Sequence, residues 1–319
     1  MMRLLLSTLI LGLGLAGFQP DSRADFAGHV SIVNSVTFSA DGKTALSGSW
    51  DWTMRLWDVA SQKTIRKFKA HTLSVNSAAF SPDGKTALSA SADGTLKHWE
   101  LKSGKVLNTF KGHTGIVTSV VFLNGGTHAL SGSTDKTLIQ WNLATGAIEM
   151  HLTGHRGPVL SVALPENGDM AFSSSYDGTI RQWDLKTGTT SKIYTGHQFN
   201  VNTVAVSKDG RILASGSVDE TVKIWDAVSG KELRSLTGHF GFIAAVAISP
   251  DKKTLLSAGR DLIIRHWNIK TGQLIKSMSG HKKPIWDIAF APDGKTAISG
   301  GGDEVLRHWN LADGTEIKK

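Results

Sequence analysis

One period governs this chain: tryptophan recurs every 42 residues, seven times, without an insertion or a deletion. The seven tryptophans are Trp57, Trp99, Trp141, Trp183, Trp225, Trp267 and Trp309. Histidine, serine and aspartate keep the same period, as the series His29 to His281, Ser47 to Ser299 and Asp51 to Asp303. Self-similarity at a fixed period of about 20 to 50 residues is the sequence signature of a repeat fold. The chain must therefore fold as seven copies of one unit.

Each unit carries strand signals and no helical pattern. In the second unit an alternating run ends at a Ser-Pro-Asp-Gly turn over residues 81–84, and a Ser-Gly turn at residues 103–104 opens a fourth, polar run. Runs of about five residues, with turn signals every 8 to 12 residues or so, indicate an all-β fold. Four strands in a unit of this length match one propeller blade. The sequence therefore predicts an all-β, seven-bladed β-propeller with four antiparallel strands per blade.

The seven units also predict how the ring closes. They fill residues 26–319, and Phe26 stands three residues before His29, where an apolar side chain precedes every other repeated histidine. Residues 315–319 begin a fourth strand for the last unit, and Phe26 would continue it. We therefore expect both chain ends to meet in the outer strand of the last blade, which leaves no long open edge.

The first 24 residues have the pattern of a secretory signal peptide. A short basic start precedes an apolar run over residues 4–18, and Ser22-Arg23-Ala24 fits a small-x-small cleavage site, with cleavage nearer Ala16 as the alternative. The run is shorter than the ~20 residues that cross a bilayer. We therefore expect a signal peptide over residues 1–24 and the propeller over residues 25–319. This predicts an exported bacterial protein, periplasmic or else extracellular, without a membrane span after cleavage.

Composition and charge exclude further classes of function. The chain has no Cys, which removes disulfides, thiol catalysis and Cys-ligated zinc. Its formal net charge is +8, but six cations stand at one repeated position, two residues before the tryptophan. They are Arg55, Lys97, Arg181, Lys223, Arg265 and Arg307. A nucleic-acid site usually clusters its positive charge, whereas this arrangement spreads it around a ring. We expect no nucleic-acid partner and a weak attraction to acidic partners or to an anionic surface.

The repeated residues resemble those of the WD-repeat (WD40) family. A Gly-His pair occurs in six units, with Ala70-His71 as the exception. The Trp-Asp pair is kept at Trp57-Asp58, Trp183-Asp184 and Trp225-Asp226, and Glu or Asn replaces the Asp elsewhere. The resemblance covers residues 26–319 and implies a propeller with a central channel that serves as a rigid platform for other proteins. It also implies a hydrogen-bond chain in each blade, from Asp to His, from His to Ser and from the Ser hydroxyl to the indole N–H.

His, Ser and Asp could instead build a nucleophilic triad. Every unit carries the set, however, no enzyme needs seven identical sites in one domain, and no Gly-x-Ser-x-Gly elbow is present. His98, His266 and His308 precede their tryptophans and could be metal ligands, but no carboxylate joins them at a suitable spacing. We expect these three histidines to lie in the core or between blades. The sequence predicts neither an enzyme, nor a cofactor, nor a metal site.

Partner recognition is expected where the seven units differ. The resemblance places partners on the face formed by the loop around the His and the turn around the Asp, and bulky residues gather there mainly on units five, six, seven and one. The candidate partner-binding residues are Trp50, Trp52, Tyr176, Phe199, Phe240, Phe242, Arg260 and Trp286. An exposed aromatic cluster with an arginine has the composition of an interface hot spot. The alternative is that some of these rings pack between loops.

Together these patterns predict a monomeric, non-enzymatic scaffold or adaptor that binds protein or peptide partners on one face of the propeller. Rigid loops would bind with little loss of conformational entropy. Two alternatives stay open. One is a small-ligand module that stacks flat molecules such as carbohydrates on Trp50 and Trp286, and the other is an accessory subunit of a periplasmic enzyme.

Overall fold

The strand signals of each 42-residue unit become one antiparallel sheet. A computed structural model of the protein describes residues 26–166 and 168–318, and in these residues 27 strands form seven sheets. The predicted signal peptide over residues 1–24 lies outside the described residues. The all-β, seven-bladed propeller predicted from the period is confirmed, with four antiparallel strands in each of the first six blades.

Each of the first three blades is a meander of four consecutive strands. Blade 1 holds β1 (Val33–Phe38), β2 (Thr44–Ser49), β3 (Thr53–Asp58) and β4 (Lys63–Lys69). Blade 2 holds β5 (Val75–Phe80), β6 (Thr86–Ser91), β7 (Thr95–Glu100) and β8 (Val106–Lys111). Blade 3 holds β9 (Val117–Leu123), β10 (His128–Ser133), β11 (Leu138–Asn142) and β12 (Ile148–Leu152), with a short 3-10 turn at Asn124–Gly126.

Blades 4 to 6 repeat this order, and blade 7 has three strands. Blade 4 holds β13 (Val159–Ala163), β14 (Met170–Ser175), β15 (Ile180–Asp184) and β16 (Thr190–Tyr194). Blade 5 holds β17 (Val201–Val206), β18 (Ile212–Ser217), β19 (Val222–Asp226) and β20 (Glu232–Leu236). Blade 6 holds β21 (Ile243–Ile248), β22 (Thr254–Gly259), β23 (Ile263–Asn268) and β24 (Leu274–Ser279), and blade 7 holds β25 (Ile285–Phe290), β26 (Thr296–Gly301) and β27 (Leu306–Asn310).

The core lies between neighbouring blades, because a single sheet cannot bury both of its apolar faces. The cluster around Trp57, for example, combines Val33 and Val36 of blade 1 with Ile298 and Leu306 of blade 7. The strand register is the same from blade to blade, with each repeated serine opposite the residue two before its tryptophan. A period without insertions therefore gives seven equivalent interfaces.

The first strands of the blades surround the axis of the ring. Their side chains line a cavity of about 550 Å³, to which all seven blades contribute. Polar side chains at one repeated position join neighbouring blades: the Ala78 N–H donates to the Ser35 hydroxyl at 3.1 Å. At the closing junction the Val36 N–H donates to the Asp287 carboxylate at 2.8 Å. The ring is thus closed by the same kind of contact that joins the other blades.

The outer position of blade 7 is filled by segments from both ends of the described chain. Glu316 forms an isolated bridge with Trp309, and the Ile317 N–H donates to the His308 carbonyl at 2.7 Å. Phe26 is 1% exposed and packs in the same cluster as Leu306. Both segments therefore pack against β27, where the outer strand of this blade was predicted. They form a bridge and an apolar contact in place of a regular fourth strand.

Candidate partner-binding face

The repeated polar set forms the same hydrogen-bond chain in all seven blades. Each His Nδ1 lies 2.7–2.9 Å from the nearer oxygen of its Asp. Each His Nε2 lies 2.7–2.8 Å from the Ser Oγ. Each Trp Nε1 lies 2.8–2.9 Å from the same oxygen. The chain implied by the resemblance is confirmed, and we call each set of four side chains a tetrad.

The chemistry of the donors gives the direction of the tetrad bonds in every blade except blade 6, where the Arg265 guanidinium also lies 2.6 Å from His239 Nδ1. An indole N–H can only donate, so the serine oxygen accepts it and its own hydrogen is left for His Nε2. His Nδ1 then carries the ring proton and donates it to the aspartate. Burial would raise the pKa of Asp51, but the hydrogen bonds from His29 and Thr53 outweigh it and hold this pKa well below 3.8. Burial lowers the pKa of His29. The tetrad of blade 1 therefore pairs a neutral imidazole with an ionised carboxylate.

This geometry leaves no nucleophile for a substrate. In blade 4 the Ser173 side chain is fully buried, and its oxygen is already shared by Trp183 and His155. The serines of the other tetrads are likewise 0% exposed. A catalytic serine must reach a reacting carbonyl carbon. The tetrads act as structural supports of the tight turn and of the buried indole ring.

Each tetrad also holds the loop that carries the variable residues. The aspartate accepts the backbone N–H of the residue after the histidine, for example from Arg156 at 2.9 Å and from Phe240 at 3.3 Å. The turn before the aspartate bonds to the same loop, since the Val218 N–H donates to the Asn200 carbonyl at 3.0 Å. These seven loops and seven turns lie on one side of the ring, which we call the histidine face.

Four of the predicted partner-binding side chains are exposed on the histidine face. Phe240 is 80% exposed, Phe199 59% and Trp52 51%, and Arg260 is exposed as well. Trp50 and Tyr176 are half-buried on the same face. Their partner binding remains a prediction.

The expectation that Phe242 and Trp286 are exposed is wrong. They are 8% and 5% exposed, and their ring centroids lie 5.7 Å apart. Ala244 and the half-buried Ile32 complete a small cluster that joins blades 6, 7 and 1 beside the mouth of the channel. The two rings therefore pack between loops, which is the alternative that the sequence left open.

The cavity beside Trp50 is too small for a stacked small ligand. Trp50 lines a cavity of about 30 Å³ together with Asn34, Asn76 and Thr118. This volume is about the share of one water molecule in the liquid. Because Trp286 is buried against Phe242, Trp50 and Trp286 do not form an open pair of rings for a sugar.

The three histidines before the tryptophans lie between blades. The ring of His98 contacts Phe122 at 6.0 Å between centroids, and His266 contacts Phe290 at 6.2 Å. His308 lies 6.3 Å from Phe38 in the same way. Burial lowers the pKa of His98 and of His266, which keeps both rings neutral. Over residues 26–166 and 168–318, no three His, Asp or Glu side chains gather in a way that could hold a metal ion.

Other exposed residues on this face were not among the predicted ones. Val30 is 74% exposed, and Lys282 and Lys283 are exposed beside blade 7. The position directly after the repeated histidine varies from unit to unit, as Val30, Thr72 and Lys282 show. Reading that position in every unit would have found Val30 and Lys282.

The family model that matches this chain is described as WD domain, G-beta repeat. It matches residues 20–58, 62–100, 104–142, 146–184, 188–226, 230–268 and 272–310. These seven segments cover most of the chain, at the same spacing as the blades.

Among curated proteins the chain is similar to proteins named small ribosomal subunit protein RACK1. The identity is 52% over 46 residues with the protein of Candida albicans, 56% over 39 residues with that of Drosophila melanogaster and 55% over 42 residues with that of Saccharomyces cerevisiae. Each match covers 12–14% of this chain and the same share of the relative. One repeat has this length, so the identity shows a similarity of single blades and does not extend to the partners of the whole protein.

These relatives contradict the expectation of an exported protein. By name they belong to the small ribosomal subunit, which is neither periplasmic nor extracellular. They come from two yeasts and an insect, so they give no support to a bacterial exported type. The apolar run at residues 4–18, which led to this expectation, lies outside the described residues. In the part of the chain that the structure describes, no helix has the length and apolar character to span a membrane.

Proposed function

This chain belongs to the WD40 repeat family, and from that premise we propose that it is a non-enzymatic scaffold that binds protein or peptide partners on its histidine face. The family and the relatives support a protein-interaction platform. We choose the histidine face because large aromatic side chains are exposed there, on loops that the tetrads hold in place. A rigid loop loses little conformational entropy on binding, so its exposed rings contribute more of their burial to affinity.

Trp52 occupies a turn position at which every blade has a left-handed backbone. Its φ is 69°, and the equivalent residues of the other blades, which also have a positive φ, are Gly94, Lys136, Gly178, Glu220, Leu262 and Glu304. The turn therefore does not require an indole at this position. Because the side chain is 51% exposed, much of the ring is available to a partner.

The small-ligand alternative requires two open tryptophan rings, and only one of the two tryptophans is even partly exposed. It required Trp50 and Trp286 to present open faces to a flat molecule, and Trp286 is buried in the cluster with Phe242. The alternative of an accessory subunit of a periplasmic enzyme requires an exported protein, and the relatives contradict that location.

Site-specific photo-crosslinking in the cells that produce the protein tests the proposed face. A photo-reactive phenylalanine analogue replaces Trp52 in one variant and Leu233 in the matched control, whose side chain is 45% exposed on the outer strand β20. We expect discrete adducts with other polypeptides from position 52, and few from position 233. Equal adducts from both positions, or none with protein, would contradict the proposal.

A further inference from the structure

Exposed apolar side chains meet on blades 5 and 6 of the histidine face. Phe199 is 59% exposed, Val218 38% and Phe240 80%. The Val218 N–H bonds to the Asn200 carbonyl, which places the turn of blade 5 beside Phe199. In equivalent blades the turn also touches the loop of the next blade: a Cβ added to Gly178 would lie 3.5 Å from the Phe199 carbonyl oxygen. The residue of blade 5 at the Gly178 position is Glu220, so the same contact brings the turn of Val218 and Glu220 against the loop of blade 6 that carries Phe240. Patches of this kind mark binding sites.

Cations adjoin this apolar patch on blades 6 and 7. A Cβ added to Gly241 would lie 3.0 Å from the Arg260 Cβ and 3.2 Å from its Cδ, so the arginine chain runs along the loop that carries Phe240. Lys282 and Lys283 are exposed on the next loop. Among the described residues, none of these three cations has an ion-pair partner. They can therefore meet a carboxylate from outside without breaking an internal bond.

The other half of the face offers no such combination. Its variable positions on blades 2 and 3 hold mainly small or polar side chains such as Ser74, Ala92 and Thr134, and the exposed apolar side chain there is the aliphatic Leu73. Lys136 and Arg156 stand exposed on blades 3 and 4, but no phenylalanine accompanies them. Apart from the tetrad aspartates, the acidic side chains of the loops and turns are Glu220 of blade 5 and Glu304 of blade 7, so they lie beside the patch and are outnumbered there by its three cations. Positive charge and exposed aromatic rings thus coincide on blades 5 to 7.

We infer that this patch is a docking site for a polypeptide segment that carries an acidic side chain next to an apolar one. The apolar side chain would cover Phe199, Val218 and Phe240, and the carboxylate would pair with Arg260 and the two lysines. Arginine binds a carboxylate through two parallel hydrogen bonds, which gives direction as well as affinity. The inference rests on the proposed function and adds the chemistry of the partner.

A random 12-residue peptide display library, selected on the whole immobilised protein, is the probe. We expect the enriched peptides to carry Asp or Glu within about three positions of Phe, Leu, Ile, Val or Met, the reach of neighbouring side chains on an extended chain. One enriched peptide, synthesised with a fluorophore, is then measured by fluorescence anisotropy. Its affinity should fall at least about tenfold with Phe240→Ser and with Arg260→Glu plus Lys283→Glu, and added salt should weaken it.

The matched control is Lys136→Glu plus Arg156→Glu, which makes the same charge change on blades 3 and 4. It should change the affinity less than about twofold, in line with the screening of distant exposed charges. All the substituted side chains are exposed, so an unchanged melting temperature verifies the fold of each variant.

Several results would overturn the inference. Enrichment of basic or uncharged peptides would do so, as would binding that the site variants keep or the control loses. Binding of a single-stranded RNA 20-mer that depends on Arg260, without peptide enrichment, would point to a different class of partner. Crosslinks from position 52 would still support the proposed function in each of these cases, so the two failures are distinguishable.

Discussion

The tetrad of blade 4 gives the sharpest test of the structural reasoning. In Ser173→Ala the indole N–H of Trp183 loses its acceptor, and Nε2 of His155 loses its donor. Both groups are buried, and the Trp183 side chain is 0% exposed. A buried polar group without a partner costs about 1–3 kcal/mol. The two orphaned groups together should lower the free energy of unfolding by roughly 2–5 kcal/mol.

Thermal and urea unfolding measure this loss. A domain of this size shifts its Tm by about 2 °C per kcal/mol, so we expect a decrease of roughly 4–10 °C. Ser191→Ala is the control, because this serine is exposed on the outer strand of the same blade and its replacement should stay within about 0.5 kcal/mol of wild type.

A double-mutant cycle separates the hydrogen bond from the loss of packing. Trp183→Phe removes the indole N–H and part of the ring in the wild-type background. In the Ser173→Ala background the N–H has already lost its acceptor, so the same change should cost about 1–3 kcal/mol less. Additive effects, or a Ser173→Ala variant as stable as wild type, would refute the role assigned to the tetrad.

Three further expectations follow from burial, titration and ring closure. Trp286→Ala should lower stability by about 3–5 kcal/mol and Phe240→Ala by less than about 0.5 kcal/mol, as urea unfolding will show, because only the first ring is buried. Folding lowers the pKa of His29 from 6.5 and the pKa of Asp51 from 3.8. The stability that each group contributes is therefore fully present above its unfolded pKa and is lost as the pH falls. The Tm measured against pH should decline below 6.5 and more steeply below 3.8. Truncation after Thr315 removes the arginine–glutamate ion pair and the bridge of the last blade, and a Tm equal to that of the full chain would contradict the closure described above.

The repeat was sufficient to predict the architecture. Every blade uses the same spacing from His29 to Ser47 to Trp57 and its equivalents, and side chains at fixed offsets in equivalent sheets must meet in the same way. The burial of His266 between blades followed from the same logic. The last blade departs from the others only in its outer strand, where a single bridge replaces a regular ladder.

Exposure at the variable positions could not be read from spacing. Trp286 and Phe240 are both bulky residues near a repeated histidine, yet one is 5% and the other 80% exposed. The difference depends on side chains from three blades: Phe242 and Ile32 surround Trp286, whereas no such neighbours cover Phe240. A local pattern contains no information about which loops of distant units lean toward each other across the channel mouth.

The tetrad explains why architecture and recognition share one face. The same aspartate that fixes the histidine also accepts the backbone N–H of the next residue, as Asp261 does for Phe240. The backbone of that residue is therefore held by a buried network while its side chain points into solvent. Evolution can replace the side chain at this position without disturbing the hydrogen bond, since the bond uses only main-chain atoms. Each blade thus supplies one anchored and freely variable site, and a ring of seven such sites permits partner recognition to diverge while the period stays intact.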